Sequence, residues 1–496
     1  MSLQAIRTDE TYIRVARHGD RHRVEGLPHY VRSPVRSQES SGTAGTIYSE
    51  WIWDGEQLVL KTDRLGFFPL FYACRDGEIL VSPSLTTLVA RGASTELDDT
   101  ALAAFLRLKF FLGDDTPFSA IRVLPPGGYL RWTGTSAEVR GGLWSPTPQS
   151  LSRIAAMDLY AETLREALKR DLPKDAAWAL PLSGGQDSRH ILFALCELGR
   201  FPETCVTARH YPPTADEDAV AAGVARALGV KHLTIGLQPC ELAAELQKNV
   251  LTHYCAIEHG WMVALTEFVA GRYGRVYDGI AGDVLSAGLY QDEHRLRLFH
   301  AGRLRELGEL LLGSEGYLPG LLSYGAYQRL GREVALERVV KELARHVDAP
   351  NPVSSFYFWN RTRRCVAAGP FGMLSRACSV VTPYLDPAVY ELLASLPGTM
   401  FLDHRFHADT IARAFPRYAA IPFQPKGTRQ TGAGRSYRRL AADLLRYSRA
   451  GSGRLARRGF ITARTLRALV DPGYAPAVES FGSLAIYLLQ LEEMAA

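Results

Sequence analysis

The sequence predicts an α/β protein of two domains, and three observations carry the prediction. At 496 residues the chain exceeds the usual reach of one hydrophobic core. Up to Arg140 it is broken by turns and alternates apolar with polar residues, as in Gln57-Leu58-Val59-Leu60-Lys61 and Gly77-Glu78-Ile79-Leu80-Val81, which reads as β-rich with few helices. Beyond that, short apolar runs alternate with helical patterns, the signature of βαβ units and a parallel sheet.

Hydrophobic residues make up 47% and charged residues 22%, ordinary globular values that exclude a disordered chain. Lys+Arg exceed Asp+Glu by 57 to 52, so net charge selects no partner. The seven cysteines carry no CxxC pair, and several lie in apolar runs; we read them as reduced core residues. The start, MSLQAIRTDETY, lacks a basic segment leading into an apolar stretch, and no run of about 18 apolar residues occurs. The expectation is a cytoplasmic protein with no membrane contact.

The elements follow in order. The Pro/Ser-rich stretch Trp144 to Ser152 precedes a helical segment around Met157 to Arg170, which places a front domain over 1–148 and a second over 149–496. In the second, strands are expected near Ala177 to Leu182, Thr204 to Ala208 and His232 to Ile235, with helices near Ser188 to Leu198 and Glu217 to Leu228. Downstream of about residue 290 the pattern is mainly helical, with amphipathic stretches such as Glu333 to His346 and Pro387 to Ser395.

The segment Leu180-Pro181-Leu182-Ser183-Gly184-Gly185-Gln186-Asp187-Ser188 runs from an apolar strand through two glycines into a helix. Gly184 and Gly185 let the backbone approach an anion, Ser183 and Ser188 add hydroxyl donors, and the helix start directs free N–H groups at the same point. A polyphosphate suits that cradle. Asp187 would repel it unless a divalent cation lay between them, which implies Mg2+.

The pattern SGGxDS resembles the pyrophosphate loop of the ATP pyrophosphatase superfamily, where ATP is cleaved between its α and β phosphates. Further segments, in order, resemble asparagine synthetases and their relatives, the β-lactam synthetases and lasso-peptide cyclases. Thr62-Asp63-Arg64-Leu65-Gly66-Phe67-Phe68-Pro69-Leu70-Phe71-Tyr72 is similar to an RDxxGxxPLYY segment, and Leu124-Pro125-Pro126-Gly127 to an LPPG turn. Tyr277-Asp278-Gly279-Ile280-Ala281-Gly282-Asp283 resembles the SGEGxDEVF loop, Val381-Thr382-Pro383-Tyr384-Leu385-Asp386 the VPFLD segment, and Ile421 to Gly427 the late lysine motif. The resemblance implies a degenerate glutaminase-like front domain of the Ntn-hydrolase type. Behind it would stand an adenine nucleotide α-hydrolase-like synthetase domain with extra C-terminal helices. It further implies ATP contacts from Leu182, Ser183, Gly184, Gly185, Asp187, Ser188, Thr207 and Gly279, metal ligation by Asp187 and Asp283, and a catalytic cation in Lys426. The activity implied is AMP-forming amide synthesis between a carboxylate and an amine, on a small molecule or precursor peptide, as in lasso-peptide macrocyclisation.

Three features depart from the pattern. Glutamine-dependent members begin Met-Cys-Gly, whereas this sequence begins Met1-Ser2-Leu3, so no glutaminase activity is expected. Ile280 stands where asparagine synthetases have a glutamate base and β-lactam synthetases a tyrosine, and Arg361 to Ala368 offers no later glutamate. Glu258, with His259 beside it, is the candidate base. The arginine-rich stretch Arg429 to Arg458 could meet an acidic peptide or partner protein, while its few aromatic residues argue against nucleic acid. Three other readings compete: an ammonia-dependent asparagine synthetase, a tRNA-modifying ATP pyrophosphatase and a silent nucleotide-binding protein.

Overall fold

The computed structural model describes residues 11–19, 21–33, 47–172, 177–209, 217–236, 238–421, 423, 434–449 and 453–495. Among the described residues the front of the chain forms ten strands: β1 (Ile13–His18), β2 (Arg21–Gly26), β3 (His29–Arg32), β4 (Ser49–Trp53), β5 (Leu58–Thr62), β6 (Phe71–Arg75), β7 (Glu78–Ser82), β8 (Arg122–Val123), β9 (Tyr129–Trp132) and β10 (Ala137–Arg140). They make two antiparallel sheets, ordered β2-β1-β7-β6-β8 and β10-β9-β5-β4-β3. Period-two alternation in β1, β4, β5 and β9 sends Ile13, Val15, Trp51, Leu58, Leu60 and Leu130 into a core between the sheets. The opposite face of the first sheet, through Phe71 and Leu80, packs on α1 (Leu85–Ala90) and α2 (Asp99–Leu108). Asp98 caps α2, accepting from Ala101 N at 2.9 Å.

The two front motifs recognised in the sequence form one knot. Asp63 accepts N–H bonds from Leu65, Gly66 and Tyr48 at 2.8, 3.0 and 3.1 Å. Thr62 Oγ1 donates to Pro125 O at 3.0 Å and accepts from Gly128 N at 2.9 Å. Gly66 has φ of +59°, and a Cβ there would lie 2.9 Å from Pro126 Cα, so the close turn requires glycine.

The second part is a doubly wound unit. Its elements are α3 (Arg153–Arg170), β11 (Trp178–Pro181), α4 (Asp187–Glu197), β12 (Thr204–Ala208), α5 (Glu217–Ala227), β13 (His232–Ile235), α6 (Glu241–Leu251), α7 (Met262–Val269), β14 (Arg275–Tyr277), α8 (Gly282–Ser286) and, after a helical excursion, β15 (Ser379–Val381). The sheet is parallel throughout, ordered β13-β12-β11-β14-β15. Both faces are covered: Leu180, Cys205 and Tyr277 face α3, α4 and α5, while Ala179, Val206, Val276 and Val380 face α6 and α7. That explains why these strands read as unbroken apolar runs. The chain leaves β11 for β12 and β13 on one side and returns to β14 and β15 on the other. The strand order therefore reverses between β11 and β14, the place where sheets of this kind open a crevice at their carboxyl ends.

The two parts dock through buried arginines. Arg363 Nε donates to Gly66 O at 3.0 Å and its Nη2 to Leu124 O at 2.9 Å, one bond to each front motif. Arg364 donates to Gly113 O and Asp115 O at 2.8 and 2.9 Å, and Asn360 Oδ1 accepts from Gly113 N at 2.7 Å. The late helices expected from amphipathic patterning appear as Arg332–Leu343 and Pro387–Ser395. Among the described residues no helix is long and apolar enough to cross a membrane. One sequence expectation is corrected: all seven cysteines are free thiols and five are buried, but Cys74 is exposed on β6 and Cys240 is half-buried ahead of α6. Each sits where a polar residue would be tolerated.

Truncating Arg363 orphans two buried carbonyls and leaves a void. Arg363→Ala should lower stability to urea by about 3 kcal/mol or more, while Arg305→Ala, on an exposed pair with Glu333, leaves the unfolding midpoint near wild type. Burial raises the Asp63 carboxyl to about 6, against the pull of its backbone N–H bonds and Arg363. A carboxyl raised on folding favours the native state while protonated, so its contribution is lost as pH rises from about 4 through 6. The stability of Asp63→Asn relative to wild type should therefore climb between pH 4 and 7 by up to about 3 kcal/mol and stay flat above, as read from urea unfolding across pH.

Candidate active site

A cavity of about 710 Å³ opens at the carboxyl ends of β11, β12 and β14, where the strand order reverses. The sequence dictates its floor. β11 ends at Pro181, and Leu182 to Gln186 turn into α4. Gln186 precedes the helix without a side-chain cap, so the first-turn N–H groups remain directed at the turn. Ser183 Oγ lies 3.4 Å from Ser188 Oγ and accepts from Gly185 N at 3.2 Å, which curls the loop back on itself. Thr207 Oγ1 donates to Leu182 O at 2.6 Å, tying the end of β12 to the loop.

The loop after β14 closes against this one at Asp187. Asp283 N donates to Asp187 Oδ2 at 3.1 Å. A Cβ on Gly279 would lie 2.8 Å from Asp187 Cβ, and one on Gly282 2.6 Å from Asp187 Cγ, so both glycines are needed for the approach. Between them Ala281 holds φ at +74°, a strained value for a residue with a Cβ. Tyr384, from the VPFLD-like segment, donates to Asp187 O at 3.0 Å and braces the loop from below.

Three half-buried carboxylates thus gather where the two loops meet. Burial, then the neighbouring Asp187, raises Asp283 to about 6, with Arg361 pulling the other way. Burial likewise raises Asp278 to about 6, opposed by its bond from Ile280 N and aided by Asp187. Acidic oxygens crowded away from solvent are a donor set that a hard divalent cation fits. Asp187 and Asp283, on loops that touch, are the residues that could hold one.

Of the residues expected from the sequence, Leu182, Ser183, Asp187, Ser188, Thr207, Glu258 and Gly279 line the cavity. Gly184 and Gly185 lie in the loop itself, and Asp283 touches Asp187. Glu258 is bonded to Arg361 at 2.9 Å. Lys426 lies outside the described residues, as do Arg429 and the first part of the arginine-rich stretch. The described part of that stretch includes the helix Gly434–Tyr447, with Leu440, Ala441 and Leu444 buried and Arg439, Arg446 and Arg449 exposed.

Sequence reasoning missed several lining residues. Lys109, at the end of α2, reaches the cavity from the front sheets with φ of +71°, its Nζ donating to Leu106 O at 2.7 Å. Burial, then Arg107, lowers its pKa to about 8. Glu479, Ser480 and Ser483 come from the C-terminal helix Ala477–Met494. Arg361, on the wide π-helical turn Phe358–Thr362, stands between Glu258 and the carboxylate loops. The left-handed lysine and the π turn leave no local sequence signal, since both are set by what packs around them. Glu258, His259 and Cys365 bring potential ligand atoms within 4.8 Å of one another, but the Arg361 cation on Glu258 opposes a metal there. His259 is held at φ +82°, and burial lowers its imidazole to about 4, so it is neutral at pH 7.

Residues 42–141 match the glutamine amidotransferase domain family, and residues 159–368 match the asparagine synthase family. The chain is 25% identical over 221 residues to amidase chyE of Penicillium rubens, a match covering 40% of this chain and 32% of that protein. The chain thus spans about a third of the length of that curated relative. Two solved structures are similar at low scores. Glutamine phosphoribosylpyrophosphate amidotransferase from B. subtilis, complexed with ADP and GMP, is 11% identical over 54% of this chain and 46% of that one, with a TM-score of 0.14. The allosteric regulatory enzyme of purine biosynthesis is 12% identical over 40% and 49%, with a TM-score of 0.15. The fold rests on the coordinates and the two family matches, which agree with the motifs knotted in the front sheets and with the loops meeting at Asp187: the chain belongs to the asparagine synthetase superfamily.

Proposed function

We propose that this chain is an ATP-dependent ligase that adenylates a substrate carboxylate and passes the acyl group to an amine. One observation carries the reading: the loops after β11 and β14 meet at Asp187, so that the uncapped start of α4 and the carboxylates address one cavity. Leu182, Ser183, Gly184, Gly185, Ser188, Thr207 and Gly279 would surround the nucleotide, the backbone N–H groups taking phosphate oxygens. Asp187 and Asp283 would hold Mg2+, which supplies charge that offsets the leaving pyrophosphate.

In the first step a carboxylate oxygen forms a bond to the α-phosphorus and the bond to pyrophosphate breaks. In the second the amine attacks the acyl carbon, AMP leaves with the C–O electron pair, and the nitrogen gives up a proton. Glu258, on the cavity wall, is the residue we assign to that proton. Lys426 would face the negative charge that builds at both stages. Among the described residues that precede it in the chain, Ile421 O accepts from Arg189 at 2.9 Å and the Phe423 ring lies 4.2 Å from the same guanidinium. A wall carrying Glu241, Glu245, Glu258 and Glu479 against Lys109 and Arg209 favours a cationic amine. We place the domain boundary between residues 148 and 149, a choice supported by the end of β10 at Arg140 and the start of α3 at Arg153. Peptide or natural-product substrates, including precursor peptides for lasso-type macrocyclisation, suit an amine supplied by the substrate itself. The exposed arginines of the helix Gly434–Tyr447 support docking of an acidic peptide or partner protein beside the site.

The test is release of pyrophosphate from ATP with Mg2+ across a panel of peptides and amino-carboxylates. Asp187→Ala and Lys426→Ala should each lower turnover at least a hundredfold, with Lys426→Ala keeping ATP affinity within a few-fold. Release of inorganic phosphate in place of pyrophosphate would contradict the reading.

A further inference from the structure

Behind Asp187, away from the cavity, lies a polar network sealed from water. Tyr160 of α3, His190 of α4, Ser286 at the end of α8 and His407 of the helix Phe406–Ala414 are each 0% exposed. The hydrogens in it can be assigned from geometry. Ser286 Oγ has one hydrogen and donates it to Gly282 O at 2.7 Å, so toward its other neighbours it accepts. His407 Nδ1 lies 2.9 Å from that oxygen and 3.3 Å from Asp187 Oδ1. Both are acceptors, so Nδ1 carries the proton. His407 Nε2 then accepts from His190 Nδ1 at 3.1 Å, while Tyr160 OH, 3.1 Å from Ser286 Oγ and 3.2 Å from Nε2, donates to the serine oxygen. A hydrogen on His190 Nδ1 leaves its Nε2 bare, and that atom has no hydrogen-bond partner, a cheaper vacancy for a lone pair than for an N–H.

We propose that His407 is a positioning residue for the ligase reaction: its Nδ1–H, shared between Ser286 Oγ at 2.9 Å and Asp187 Oδ1 at 3.3 Å, restrains one oxygen of Asp187 while Asp283 N–H binds the other, so the carboxylate meets its cation in one orientation. The inference rests on the reading of Asp187 as a metal ligand. An aspartate free to rotate would lose entropy on binding the ion, whereas one held at both oxygens has already lost it. The histidine pair also makes the brace directional, since His190 donates to His407 and the Nδ1–H of His407 points at Ser286 and Asp187.

Mn2+ binding followed by electron paramagnetic resonance, with ATP and without substrate carboxylate, reads the brace apart from turnover. His407→Leu should weaken Mn2+ at least tenfold, and His407→Asn, whose amide can reproduce the Nδ1 donor, should recover to within about threefold of wild type. In parallel, 15N spectra of histidine-labelled wild type, assigned by the signal lost in His407→Asn, should show the Nδ1–H tautomer. This measurement stands even if His407→Leu does not fold. An Nε2–H tautomer, or a folded His407→Leu with unchanged Mn2+ affinity, would overturn the proposal. Asp187→Asn separates the two claims. If it abolishes Mn2+ binding while His407→Leu does not, only the brace fails; if neither matters, the reading of Asp187 fails first.

Discussion

The organisation of the second part of the molecule depends on one contact, the closure of two strand-to-helix loops on the side chain of Asp187. Parallel strands place all their carboxyl ends on one edge, and the reversal of strand order between β11 and β14 leaves a gap there. The chain fills that gap with backbone. Gly279 and Gly282 pass so near Asp187 that neither tolerates a Cβ, and Asp283 N completes the contact with a hydrogen bond. The price is electrostatic: carboxyls at 278 and 283 are forced close to a third with little solvent, and both are harder to ionise for it. The left-handed Ala281 records the same constraint in the backbone. A site that gathers like charges and strains its backbone is arranged for a ligand that relieves them.

The front sheets are joined to this site by polar contacts as much as by apolar burial. Arg363 satisfies a carbonyl from each of the two front motifs, and Arg364 with Asn360 holds the backbone of Gly113 and Asp115. The residues that give those motifs their recognisable spelling, Asp63, Gly66 and the Pro125-Pro126-Gly127-Gly128 turn, are therefore committed to holding one another and the second domain. That is a sufficient physical reason for their presence whatever chemistry the front domain performs. The coupling reaches the cavity through Lys109, which the end of α2 carries into its wall.

The wall opposite the loop after β11 has a different character. Acidic side chains from α6, the loop before α7 and the C-terminal helix face the cavity, and a neutral His259 stands among them. Arg361 separates this wall from the carboxylate loops and is bonded to Glu258. The arrangement sets the uncapped start of α4 at one end of the cavity and the acidic residues from Glu241 to Glu258 at the other.

Much of this was legible in the sequence, and what was legible has a common cause. The β-rich front, the alternating strands and helices, and the start of α4 at Asp187 are local consequences of periodicity, glycine placement and helix-end chemistry, which a chain carries in its order of residues. Asp187, Asp283 and Gly279 could be named as candidates because they sit in short motifs. Lys109, Arg361, His407 and the C-terminal helix were not, because each enters the site from a remote segment and acts through a contact with a sequence separation of tens to hundreds of residues. Arg363 likewise read as a gap where a glutamate was sought, and only docking against Gly66 and Leu124 gave it a purpose. The sequence by itself determined the class of fold and the glycine-containing turn into α4, since both follow from neighbours along the chain. Only the tertiary structure decided which distant side chains share one cavity, and so which carboxyls are raised, which histidine donates and which arginine is spent on holding the domains together.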